Sequence, residues 1–109
     1  MIIKNIPFDT IDWAAVRSER HEGETGYADW KVRQCGDIRV RVVEYSPDYK
    51  ADHWCSKGHI LFCLSGELTT QLQDGRSIVL YKGMSYQVED ENYPHRSFTK
   101  NGAVLFIVD

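Results

Sequence analysis

Short runs of alternating apolar and polar residues, each closed by a turn signal, follow one another along most of this chain. Residues 2–8 begin with such a run and predict a first strand ending near Pro7. Asp9 and Thr10 are good helix N-caps, so residues 11–16 predict one or two helical turns. Residues 18–26, rich in charge and glycine, read as a loop that carries His21 as an exposed histidine. Residues 30–35 and 38–45 then alternate on either side of Gly36-Asp37, which predicts a hairpin with one wet face. Pro47-Asp48 turns into a strand at 51–55, and a second strand is expected at 59–64. Ser65-Gly66 reads as a turn into 67–72, and Asp74-Gly75 is a strong hairpin signal returning through 77–81. Lys82-Gly83 leads into 84–88, residues 89–94 form a polar loop, and strands follow at 95–98 and 103–108.

Roughly ten short strands with one minor helical turn argue an all-β sandwich or barrel. No alternation with helices supports a parallel sheet, and a jelly roll is the common way for such a chain to hide its sheet edges. The 109 residues suit one domain and would bury about two-thirds of the unfolded surface.

Charge narrows the partners. The net charge is −3 and Lys and Arg are scattered, so a nucleic-acid face, which needs a basic stripe, is not expected. No apolar run approaches the ~20 residues of a membrane helix. The opening Met1-Ile2-Ile3-Lys4 lacks the apolar segment of a secretory signal, and three cysteines show no disulfide-framework spacing. A reducing cytoplasm is the expected location.

Chemistry concentrates at Asp52-His53-Trp54-Cys55 and the residues after it. On an extended strand His53 and Cys55 share a face, with Trp54 opposite. Ser56-Lys57-Gly58 reads as a tight turn that folds His59 back toward them, and His59, Leu61 and Cys63 share one face of the next strand. Imidazole and thiolate together suit Zn, Fe, Cu or Ni better than Mg or Ca.

The same residues resemble the first motif of the cupins: Gly, five residues, His-x-His, three or four residues, Glu, six residues, Gly. Here Pro47 stands at the opening glycine, His53 at the first histidine, Cys55 at the second, His59 at the glutamate and Gly66 at the closing glycine. The Asp52–Cys55 run also resembles the small bacterial cupins named for a DHCW motif, with the order Asp-His-Trp-Cys here. A looser second motif starts at Gly83 and resembles the cupin pattern again around Pro94-His95-Arg96; an alternative register starting at Gly75 puts Tyr86 at the histidine position.

The resemblance implies a cupin-type double-stranded β-helix (a jelly-roll β-barrel), with the pocket built from residues 47–109. It also implies one divalent transition metal (Zn, Fe, Ni or Mn) on His53, His59 and His95. Cys55 either closes that set as a thiolate or lines the pocket as a thiol. Cys63 and Cys35 are expected in the core, Tyr45, Tyr86 and Phe62 in the pocket wall, and Trp54 against the sheet or a partner subunit. Three functions follow: a metal-dependent enzyme on a small molecule, a small-molecule-binding or sensing barrel, or a structural barrel with a closed or absent metal site. A homodimer joined through the first strand is expected.

Overall fold

Eight antiparallel strands make up the described part of the protein, residues 2–109 of a computed structural model. They are β1 (Glu19–Glu22), β2 (Tyr27–Cys35), β3 (Ile38–Tyr45), β4 (His59–Leu72), β5 (Ser77–Tyr81), β6 (Ser85–Val88), β7 (His95–Phe98) and β8 (Ala103–Val108). The strand order is β1-β2-β3-β8-β4-β5, with β6 and β7 also paired to β4. The architecture is all-β, as the alternation implies. None of the helical structure in the described residues is long and apolar enough to cross a membrane.

β4 is the spine. Its first half lies between β8 and β6 (Leu61 opposite Ile107 and Tyr86), and its second half between β5 and β7 (Thr70 opposite Ile78 and Ser97). The sequence reads as two strands with a turn at Ser65-Gly66, whereas the chain runs through as one bent strand of 14 residues. A register shift between Cys63 and Ser65 replaces the turn. One extra residue in a ladder flips the faces beyond it. Leu61 and Cys63 point inward before the shift, Leu68 and Thr70 after it, and all four are buried. Gly66, at φ +77°, makes the bend; a Cβ there would collide with the Gly102 carbonyl.

Four further expectations are corrected. Residues 2–8 form no strand: Asn5 turns the chain at φ +58° and no sheet edge receives it. Residues 18–26 are not wholly loop, because Glu19–Glu22 pairs with β2 and His21 stacks on Trp30 at 4.0 Å. Residues 51–55 form no strand either; Cys55 touches β7 through a single bridge to His95. The expected helical turn is a short 3-10 turn, Trp13–Ala15, capped by Asp12 rather than by Asp9 or Thr10.

The core runs along the inner faces of β3, β4 and β8, with Val43, Leu61, Cys63, Leu68, Leu105 and Ile107 buried. Cys35 is only partly buried. The β2–β3 hairpin forms around Gly36-Asp37 as expected, but its inner face is mixed, carrying Arg39 and Arg41 beside Val43 and Tyr45. Arg41 pairs with Val32 and Ile107 and lies on the face of buried Val43. Arg39 and Arg41 therefore point into the barrel, while Phe106 on the outer face meets Trp13 edge-on at 6.4 Å.

Candidate functional site

His59 opens β4 and His95 opens β7, and the two rings meet edge-to-face at 4.9 Å. Cys55 is tied to His95 by two backbone hydrogen bonds, Cys55 N to His95 O (2.7 Å) and His95 N to Cys55 O (2.9 Å). The loop after residue 50 thus delivers a thiol beside a strand-borne imidazole. Two cavities, of about 260 and 840 Å³, share His59, Tyr86 and His95 in their walls; Cys55 and His53 line the smaller one.

Each imidazole is held by one nitrogen. His95 donates from Nδ1 to the Tyr93 carbonyl at 2.8 Å, which leaves Nε2 without a hydrogen-bond partner. A carbonyl only accepts, so in the neutral ring Nε2 carries the free lone pair. His59 Nε2 lies 3.1 Å from the Tyr86 hydroxyl, and its Nδ1 is buried without a partner.

Electrostatics separate the two rings. Burial pushes His59 down to about 4, helped by the nearby His95 and Arg41 charges, so it is neutral at pH 7. Burial alone would lower His95, but the Cys55 thiol and the Tyr93 carbonyl outweigh it and raise it. In return the His95 ring holds the Cys55 thiol below its ordinary value, against the cost of burial. Burial pushes the Tyr86 hydroxyl up to about 12.

His53 does not join this group. Its side chain is 76% exposed, and its Nδ1 sits 2.6 Å from Asp52. The strand parity that placed it beside Cys55 does not apply, since residues 51–55 are irregular. Among the described residues no three His, Cys, Asp or Glu side chains are gathered tightly enough to hold a metal ion. Tyr45 and Tyr86 line the smaller cavity as expected, whereas Phe62 faces outward and is 40% exposed. Trp54 lies under the Arg96 guanidinium at 4.5 Å.

No family model matches the chain, and no curated protein matches it in sequence. Solved structures do match. An RmlC-like cupin from Shewanella frigidimarina superposes at TM-score 0.74 over 94% of this chain and 90% of its own, at 14% identity. The chain has the cupin fold. A predicted oxalate decarboxylase from Thermotoga maritima, at 11% identity, gives 0.75 over 92% and 96% of the two chains. Fe(II)-HppE, solved with the alternative substrate (S)-1-HPP, gives 0.76 over 94% of this chain and 60% of its own, at 18% identity.

This cupin barrel carries a group that the histidine spacing does not announce. Arg39 donates to the Asp109 carboxylate from Nε and Nη2 (2.8 and 2.9 Å), and Arg41 donates from Nη2 (2.8 Å). Both guanidinium groups also lie over the Trp30 ring, at 5.5 and 4.5 Å. A signal was available: Val43 and Tyr45 follow Arg39 and Arg41 at the same parity, so that face of β3 is mixed rather than wet. Asp109 likewise continues the parity of Leu105 and Ile107 on β8.

Proposed function

We propose that this protein is a small cupin barrel that takes up one divalent transition metal at His59 and His95, with Cys55 drawn in as the third donor on binding, and acts on a small molecule in the adjoining cavity. The two orphaned ring nitrogens carry the reading. A metal-binding histidine characteristically donates one ring N–H to a carboxylate, backbone carbonyl or water and offers the other nitrogen, as His95 does on the Tyr93 carbonyl; His59 matches it in the tautomer that donates from Nε2 to the Tyr86 hydroxyl. A nitrogen–nitrogen–sulfur set suits Zn, Fe or Ni, with Mn the hardest of the four ions considered. His53 is the further candidate, since it lines the same cavity on an irregular segment. Fe(II)-HppE shows by its name that this fold accommodates iron in one relative. A metal bound here would supply Lewis-acid polarisation of a substrate oxygen. Neutral His59 needs no proton removed to take part.

Metal-stripped protein titrated with Zn, Fe(II), Ni and Mn is expected to take up one ion per chain and to melt at a higher temperature. If none of the four binds, the metal-free alternative stands: a ligand-binding or sensing barrel. That reading is favoured by the lack of three gathered donors among the described residues.

A cytoplasmic location fits three free cysteines. Self-association belongs to the same proposal, supported by the exposed Ile2, Ile3 and the outward row Ile60, Phe62 and Leu64 on β4. Sedimentation is expected to show a dimer, and a strict monomer at high concentration would remove it.

A further inference from the structure

We infer that the smaller cavity takes a small organic acid, with the carboxylate of that ligand received by Arg41. The inference rests on the reading of the barrel interior as the functional cavity, and not on the metal. The chain as a whole is anionic, at net charge −3, yet Arg39, Arg41, Lys57 and Arg96 all line this cavity, with Asp109 as the sole carboxylate among the described residues of the wall. A pocket lined by one sign of charge concentrates ligands of the other.

Arg41 is the group with donors to spare. Its side chain is only 8% exposed, yet among the described residues its guanidinium makes one hydrogen bond, from Nη2 to Asp109. Nε is buried and has no partner. Arg39, by contrast, uses Nε and Nη2 together on Asp109. A guanidinium carries five donors in a planar fork, and leaving a buried one unpaired is costly. Asp109 already serves both arginines, so a second carboxylate is the complement that Arg41 lacks.

The rest of the wall selects the body of the acid. Trp30, Leu61 and Ile107 offer apolar surface, and Tyr45 and Tyr49 stack at 4.3 Å. At about 260 Å³ the space falls below the ~300–1,000 Å³ of pockets for drug-sized ligands. It suits a short chain or a single ring.

Metal-stripped protein is titrated calorimetrically with acetate, pyruvate and benzoate, each beside its neutral amide, and separately with Zn alone. At least one acid is expected to bind at least tenfold more tightly than its amide, and Arg41→Gln to remove that preference. Should Arg41→Gln fail to fold, the acid–amide comparison on the unaltered protein decides by itself. If every acid merely equals its amide, or binds only after Zn is loaded, Arg41 is not the carboxylate receptor and the inference falls. Acid binding by a protein that takes up none of Zn, Fe(II), Ni and Mn would overturn the metal proposal and leave this one standing. Zn uptake without an acid preference would do the reverse.

Discussion

Replacing Asp109 by alanine is expected to lower the unfolding free energy by about 3–5 kcal/mol, the range for removing one partner of a buried ion pair. Its side chain is 1% exposed and accepts from both Arg39 and Arg41. Its loss strands two guanidinium groups against Trp30 with no anion in the wall. For a domain whose whole stability is of order 5–15 kcal/mol, that is a large share. Urea unfolding measures it, and a change under about 1 kcal/mol would show that solvent already satisfies the arginines.

The same carboxylate gives a pH test with a definite sign. Burial alone would raise Asp109, but Arg39 and Arg41 outweigh it and hold it below its ordinary value of 3.8. A carboxylate with a lowered folded value contributes stability that is complete above its unfolded value. That contribution is lost as pH falls through the folded one. Wild type should therefore lose stability below about pH 3.8 more steeply than Asp109→Ala.

The second large effect concerns the metal. His59→Ala and His95→Ala are each expected to cost more than the ~10–100-fold that losing an outer partner of a metal ligand costs. Tyr86→Phe, which removes only the hydroxyl that holds His59, should fall within that range. His53→Ala should cost less than either, and His21→Ala nothing. Cys55→Ser separates a thiolate ligand, whose loss empties the site, from a thiol that only lines the cavity. Binding should weaken on acidification first through His95, whose value is raised above 6.5, since its proton competes for Nε2. His59, neutral down to about 4, adds no competition above that. Calorimetric titration with Zn reads all of these, and equal affinity in the His59, His95 and Cys55 variants would end the metal reading.

Where local chemistry decides, residues alone were enough. Asp74-Gly75 sets the β4–β5 hairpin, and the strand bounds at 77–81, 95–98 and 103–108 follow from their flanking turns. The shared face of His59, Leu61 and Cys63 is a matter of strand period, and the structure keeps it. His95 was legible through Pro94-His95-Arg96, and it reaches His59 as the second-motif register implies.

What pairs with what is not a local property, and there the tertiary structure decided. Residues 2–8 have strand-like composition but meet no open edge, so they stay irregular, and Ile2 and Ile3 stay wet. Residues 51–55 are anchored to the sheet only at Cys55, which leaves His53 free to turn toward solvent and Asp52. The bulge after Cys63 lies where β4 passes from β8 and β6 to β5 and β7, and that set of four neighbours is a property of the whole sheet. Arg39 and Arg41 could be placed inside because β8 delivers Asp109 opposite them. A buried charge is admissible only when a distant residue neutralises it, and no pattern within β3 can show that residue.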